Sequence, residues 1–447
     1  MVQKSRAMNK ISQPQSKGII LRVLAPLLLI EFAVAIAWGW MKGSYQGLHF
    51  GSWQIAEWLI NYEGGFVRRG LAGQAIFYLG NGQDLLQLLY SVTVYFYIAY
   101  AAIFIAIYFF SKANNVKVLL LAIVVPGGLF QMGMTIQFFT RKEILFLILF
   151  GLLCLQYLWI QRSQVQSGLQ KGRDLCRKLC WFYALAIVGG IAMTLIHEGY
   201  LFMSYPLTLL LGWVVKREYP DSWVAKWGCY LYAGIIPVVF AICALHHGDA
   251  SVAQRVWESL SLDDRLKLAG AAPYTAFGPI ASLGWGFQQN LLTIYGLWVT
   301  GGWKYWLFFI LGNLLVLGWI ANAMDPHRAE LGSDSRTATR YLYLVLLGLL
   351  LSSSMFLIAA DWGRWIAYIT NSLLLFIFTL QQSSYAQEPI KIKEGSFTRV
   401  TIVIHKLLTS PSLFWITLVY AMTFKLPECC ANPAFLLMPY GRIFGGL

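Results

Sequence analysis

The stretch LQLLYSVTVYFYIAYAAIFIAIYFF, residues 86–110, runs for 25 residues without a charge. At 1.5 Å per residue it is long enough to cross the ~30 Å hydrocarbon core of a bilayer. Working outward from it, similar apolar segments lie near 20–40, 118–139, 144–160, 181–196, 200–215, 229–245, 305–321, 341–359, 366–381 and 407–423. The expected fold is therefore all-α, a polytopic membrane protein with about 11 transmembrane helices forming a single integral-membrane domain over 1–447. Composition agrees: of 447 residues 58% are hydrophobic, 16% aromatic and only 12% charged. Mean hydropathy is +0.59. The net charge of +14 is spread between apolar spans rather than gathered on one basic domain, which argues against a nucleic-acid partner. Seven cysteines show no CxxC and no zinc spacing; Cys154, Cys229 and Cys243 fall in apolar segments and read as core. Leu21–Trp40 is too long for the apolar region of a cleavable signal and reads as the first span.

Lysine and arginine counts orient the chain. With the N-terminus cytoplasmic, roughly two thirds of the 34 Lys+Arg fall on the cytoplasmic side, as the positive-inside rule requires. Lys171, Arg173, Arg177 and Lys178 share one such loop. The unusual polar residues then collect on the outer face, in loops 41–85 and 246–304, in TRKE (140–143), in HEG (197–199) and in DWGRW (361–365). Ionisable groups beside hydrocarbon are costly and face a cavity or a partner.

Each constellation has a functional and a structural reading. FGSWQIAEWLI (50–60) suits a short helix lying in the interface around Glu57, with its tryptophans among the headgroups. In NYEGGFVRRGL (61–71), Gly64 and Gly65 permit a tight turn, and Arg68 and Arg69 precede an apolar run. Cations at a helix N-terminus oppose the macrodipole, and an anion such as phosphate resolves the conflict; the alternative is that both arginines reach lipid headgroups. In TRKE, Arg141 and Lys142 read as further phosphate contacts, whereas Thr140 and Glu143 fit a capping box. His197 and Glu198 form a base or substrate-orienting pair, or a local hydrogen-bonded pair; the zinc-protease HExxH pattern is absent because position 201 is Leu. Asp361 and Arg364, flanked by Trp362 and Trp365, read either as a sugar- and phosphate-binding edge with indole faces for stacking or as an ion pair in an aromatic belt. His246, His247 and Asp249 have no distinctive metal spacing. No Walker A, Rossmann or GxSxG motif is present.

GGFVRRGL, RKEI, HEG and DWGRW, with a charged first outer loop, resemble segments of the GT-C class of integral-membrane glycosyltransferases and of bacterial O-antigen and capsule polymerases. The resemblance covers the whole chain in layout and these short stretches in detail. It implies a GT-C-like fold in the bacterial inner membrane with a periplasmic-face active site. It also implies a polyprenyl-phosphate or -diphosphate sugar lipid as donor, a saccharide acceptor and partners in polysaccharide assembly, with no cofactor and no metal. Arg68, Arg69, Arg141, Lys142 and Arg364 would hold the departing phosphate. Glu63, or else His197 with Glu198, would take the acceptor's proton, and Asp361, Trp362 and Trp365 would hold sugar. GT-C enzymes carry an acidic residue in this loop, for which Glu57 and Glu63 are available; the sequence has Glu where Asp is frequent and lacks DxD and WWD-like motifs. The rival readings are a lipid-linked oligosaccharide flippase or transporter, an acyltransferase using His197, and a scaffold. Convergence of Glu63, Arg68, Arg69, His197 and Arg364 on one outward cavity favours the transferase; scatter around the rim favours headgroup anchoring.

Overall fold

The computed structural model describes residues 52–80, 84–111, 115–134, 138, 140–166, 172–269, 278–284, 287–324, 337–357, 361–391, 408, 410–427 and 436–437. Segment 20–40 and residues 428–435, which include the adjacent Cys429 and Cys430 whose spacing would allow only a strained disulfide, lie outside them. Two short helices open the described chain, α1 (Ser52–Trp58) and α2 (Gly70–Leu79). The bundle follows: α3 (Leu85–Phe110), α4 (Val116–Val124), α5 (Leu129–Met134), α6 (Ile144–Gln166), α7 (Gly172–Ile196), α8 (Tyr200–Met203), α9 (Tyr205–Glu218) and α10 (Trp223–Leu245). Next come α11 (Ala250–Glu258), α12 (Leu262–Ala269), α13 (Phe287–Val299), α14 (Trp303–Met324), α15 (Arg340–Ser352), α16 (Trp362–Leu380), α17 (Ser384–Gln387) and α18 (Pro411–Thr423). Two short two-stranded pairings, Thr337–Thr339 with Pro389–Lys391 and Phe424–Lys425 with Leu436–Leu437, are the only strands among the described residues.

Seven helical segments are long and apolar enough to cross a membrane: Leu85–Phe110, Val116–Gly133, Ile144–Ser163, Gly172–Ile196, Trp223–Leu245, Trp303–Met324 and Trp362–Leu380. Three of the remaining expected spans are shorter than a crossing requires. The 200–215 segment is split at Ser204, with Pro206 starting the 14-residue α9. The 341–359 segment leaves α-geometry at Ser352, where a 3-10 turn over Ser353–Leu357 takes over. The third, α18, holds 13 residues.

The bundle is built around α16. All nineteen of its residues are buried, against α3, α6, α9, α14 and α15. Two of its polar positions, Thr370 and Asn371, serve the break between α4 and α5. There Pro126 stops the helix and Gly127 adopts φ 78°, and an added Cβ at Gly127 would meet the Ala367 backbone at 2.9 Å. A broken helix frees carbonyls that lipid cannot satisfy. Asn371 donates to Gly127 O (2.8 Å) and Asn313 to Pro126 O (2.8 Å), while Tyr100 donates to Asn371 (2.8 Å).

The two ends of the bundle differ. One carries a girdle of cations lying on aromatic rings, Lys117 on Phe414, Arg162 on Phe110, Lys178 on Trp159, Lys216 on Tyr230, Arg217 on Trp213, Lys226 on Trp227 and Arg340 on Tyr385. The other is capped by α1, α2, α11 and the turn Ala281–Gly284, which share a second apolar cluster with the starts of α3 and the end of α7. Gly64 sits so close to α11 that an added Cβ would lie 2.9 Å from Val252 O, and Arg255 of α11 donates to Gly64 O (3.1 Å).

Candidate functional site

At the capped end, ionisable side chains from five separate stretches meet. Glu57 of α1 is the hub. Its carboxylate lies 3.1 Å from Arg69 NH1, 3.1 Å from Arg141 NH1, 3.1 Å from His197 Nε2 and 3.8 Å from Arg364 NH1. Lys142 donates to its backbone carbonyl (3.3 Å). Trp58, the next residue, donates from Nε1 to Thr140 O (2.6 Å) and ties α1 to the TRKE turn. These contacts draw α1 inside: Ile55, Ala56, Glu57 and Trp58 are all buried, so this helix is not the interfacial one expected from its tryptophans.

Glu198 forms the second node. Arg69 grips it with Nε to both oxygens (2.9 and 2.9 Å) and NH2 to Oε1 (2.5 Å), and Arg68 NH1 approaches at 3.3 Å. The anion that the two arginines require ahead of α2 is thus supplied first by the chain itself. Arg69 holds this grip from a left-handed backbone, φ 68°, which costs a non-glycine residue of order 1 kcal/mol and is retained where surroundings over-determine it. Arg364, in the first turn of α16, reaches Glu143 Oε1 (3.0 Å) and Asp361 Oδ2 (2.5 Å) and stacks on Trp365 with its guanidinium carbon 4.5 Å from the ring centre.

The cluster therefore joins Arg68, Arg69, Arg141, Lys142, His197, Glu198, Asp361 and Arg364 with Glu57 and Glu143. Glu63 stands apart: it is exposed and accepts a hydrogen bond from Gln74 (3.1 Å), because the Gly64–Gly65 turn directs it away from the arginines that follow. Trp362 and Trp365 also depart from the expected role. Both are buried, Trp362 against Trp298 and Phe356 and Trp365 beneath Arg364, so neither indole offers a free face for a sugar. Glu143 does not form the capping box; neither of its oxygens has a hydrogen bond, and the carboxylate turns into the cluster. Asp249 accepts from Val252 N (2.9 Å) as the cap of α11. Sequence reasoning undervalued Glu57 and missed Glu143. The available signal was that both are carboxylates in segments otherwise apolar enough for burial.

Burial raises a carboxyl's affinity for its proton, but at Glu57 the Lys142 ammonium, His197 and Arg69 outweigh it and hold the group well below the usual range. Glu198 is likewise held down against burial by Arg69, His197 and Arg68. Burial lowers His197, and Arg69 lowers it further. Burial brings Lys142 down to about 8 despite Glu57.

Glu57, Glu143 and His197 place three buried ligand atoms within 4.8 Å of one another, a spacing a metal ion can use. Two features oppose a cation. His197 Nδ1 accepts from Gly199 N–H (2.9 Å), so the neutral ring carries its proton on Nε2, the atom turned to the carboxylates; a metal-binding histidine needs the reverse. Moreover, among the described residues five cationic side chains face four carboxylates, a net charge of +1 that favours an added anion. Donors remain for one. Arg68 Nε and Arg364 Nε are buried without a partner, whereas His197 Nε2 already faces Glu57 (3.1 Å) and a terminal Arg364 nitrogen faces Glu143 (3.0 Å). The accessible members are Arg68, Arg69, Glu198 and Asp361, 17%, 18%, 15% and 25% exposed, while Glu143 lies fully buried at the back.

Residues 29–266, more than half of the chain, match the profile of the family described as "Uncharacterised membrane protein Rv1490". The chain belongs to this family. With seven apolar helices of spanning length, this Rv1490-family chain is a multi-pass membrane protein. The matched range contains every cluster residue except Asp361 and Arg364. No curated protein and no solved structure matches the chain.

Proposed function

We propose that this protein is a GT-C-like glycosyltransferase of a bacterial cytoplasmic membrane, taking sugar from a polyprenyl-phosphate or -diphosphate donor for cell-surface polysaccharide such as O-antigen or capsule. In this reading α9, α15, α18 and segment 20–40 complete about eleven crossings, the short ones through local bilayer thinning. In the same reading the girdled end is cytoplasmic, as the positive-inside rule favours, and the charged cluster lies at the periplasmic face.

The observation that carries the proposal is the set of unspent polar atoms inside a charged, buried cluster. A buried polar atom without a partner costs about 1–3 kcal/mol. Arg68 and Arg364 each keep a buried Nε without a partner, beside the Glu143 carboxylate, which meets Arg364 at 3.0 Å but accepts no hydrogen bond. Glycosyl transfer uses both. The acceptor hydroxyl oxygen attacks the anomeric carbon, the bond to the phosphate oxygen breaks, and the phosphate leaves with the electron pair. Arg68, Arg69 and Arg364 neutralise that developing charge, and Lys142 adds to the local positive potential. The hydroxyl proton passes to Glu143, which is ion-paired to Arg364 through one oxygen and keeps the other without a hydrogen bond, rather than to the exposed Glu63. Glu57 and Glu198, held low by their cations, act as fixed counter-charges that position the arginines.

A flippase or transporter is favoured by one feature, the α4–α5 break inside the bundle. Its freed carbonyls are already taken by Asn313 and Asn371, and the ionisable groups sit at the bundle end, which supports the transferase. The test is retention of a short-chain polyprenyl-phosphate sugar by the full chain in nanodiscs, followed by release of polyprenyl phosphate on adding a saccharide acceptor. Retention at least tenfold above the uncharged prenyl glycoside, with release abolished in Glu143→Gln, is expected. Equal retention of both compounds would overturn the phosphate reading, and release unaffected by Glu143→Gln would overturn the base assignment.

A further inference from the structure

A second site lies at the opposite end of the bundle, on its lipid-facing wall. The outer faces of α7 and α10 enclose a groove of about 580 Å³. Cys180, Tyr183 and Ile187 form one side and Trp223, Trp227 and Leu231 the other. The separation of the helices is set by Gly228, whose added Cβ would fall 2.4 Å from the Tyr183 ring, so the two backbones are pinned at the groove floor. Along both helices the groove extends from the girdled end for about two turns, roughly 11 Å at 1.5 Å per residue, the depth of the upper part of an acyl chain.

The mouth is positive. Lys216, at the end of α9, donates to Tyr230 OH (2.7 Å) beside the groove and lies on the same ring, 4.1 Å from its centre. Lys226 extends over Trp227, a wall residue, 5.9 Å from the ring centre. Neither lysine pairs with a carboxylate among the described residues. Glu218, the nearest carboxylate along α9, instead accepts from Tyr157 (2.9 Å) and Ser383 (2.7 Å) on the interior side. An apolar slot flanked by two ammonium groups that lack a carboxylate partner among the described residues suits a phospholipid whose headgroup carries a net negative charge.

We infer that this groove is a specific site for an anionic phospholipid of the girdled-side leaflet, its phosphodiester between Lys216 and Lys226 and one acyl chain between α7 and α10. Zwitterionic lipids share the tail and the phosphate but add a cation that the lysines repel. Each lysine near an anionic headgroup contributes roughly a fivefold preference, so the pair gives a preference on the order of twentyfold.

The experiment is native mass spectrometry of the full chain released from micelles holding equal phosphatidylglycerol and phosphatidylcholine. Retained phosphatidylglycerol should exceed phosphatidylcholine on the order of twentyfold, and Lys216→Gln with Lys226→Gln should bring the ratio to one. Ile187→Trp, which fills the slot, should remove retention of both lipids. A second measurement is independent of any variant: phosphatidylglycerol with a photoreactive group on its acyl chain should label peptides containing 180–187 and 223–231. A ratio of one in the unaltered chain, a ratio unchanged by the lysine substitutions, or labelling spread evenly over the bundle would overturn the inference. Because no sugar transfer is measured, its failure is distinct from failure of the glycosyltransferase reading.

Discussion

Replacing Glu57 by Gln keeps the shape of the hub and removes its charge. The carboxylate is 2% exposed, with nitrogens of Arg69, Arg141 and His197 at 3.1 Å each and Arg364 at 3.8 Å. At an effective dielectric near 20, one such pair about 4 Å apart is worth ~4 kcal/mol, and part of the lost attraction is offset because the carboxylate no longer needs desolvating. Removing one partner of a buried pair costs about 3–5 kcal/mol, since its cations stay buried without their counter-charge. The cost here should lie at the upper end, because several cations lose one anion together. Glu63→Gln is the internal control: that side chain is exposed, hydrogen-bonds only to Gln74 among the described residues, and should cost less than ~0.5 kcal/mol. Thermal unfolding of the purified chain in one detergent, followed by loss of the monodisperse elution peak, separates the two. Glu57→Gln should unfold at least about 5 °C lower than Glu63→Gln. Adding Arg141→Gln to Glu57→Gln should recover part of the loss, as a coupled pair does in a double-mutant cycle. Equal midpoints for the two single variants, or strict additivity in the cycle, would refute the hub assignment.

Three further outcomes are expected. Lys142, at about 8 against its ordinary 10.5, holds fewer protons folded than unfolded across that window. Its contribution to stability should therefore rise from pH 8 to 10.5 while diphosphate affinity falls, and Lys142→Arg should flatten the affinity profile, as measured by titration calorimetry. Arg69→Lys keeps the charge but loses the fork on Glu198, and should weaken diphosphate binding about tenfold in the same titration. Asn371→Leu removes the donor to the Gly127 carbonyl and should lower stability by about 1–3 kcal/mol, read as a melting shift without change in diphosphate affinity.

The sequence revealed most where hydrophobic length alone decides. The cores of α3, α6, α7, α10, α14 and α16 follow from uncharged runs, because lipid leaves the backbone no alternative to a helix. Span ends and short segments were less legible: Ser204–Pro206, Pro126–Gly128 and Ser352–Ser354 each divert a run whose hydropathy continues unbroken. Within the site, the arginines, His197 and Glu198 stood out because charge is rare in such a chain. Their pairings were hidden. Glu57 and Glu63 are six residues apart in one loop, and only the fold of α1 beneath the TRKE turn sends the first inward and the second to solvent. Glu143 fitted a local capping pattern, which a non-local partner, Arg364 on the central helix, overrides. The tryptophans flanking Arg364 resembled a carbohydrate platform because exposure cannot be read from a DWGRW string.

The complete burial of α16 bears on how the protein is made. Of the seven spanning segments it has the lowest mean hydropathy, 1.3, and it includes Arg364, Thr370, Asn371, Ser372 and Thr379. A ribosome delivers it after α3, α6 and α14, three of the helices that enclose it. Such a segment gains little by partitioning into lipid alone and gains its partners only once those helices stand in place. Synthesis order thus coincides with assembly order, the wall being laid down before the post it surrounds. Shortening the chain ahead of residue 362 would leave a bundle with an open seam, the kind of intermediate that membrane quality-control proteases remove.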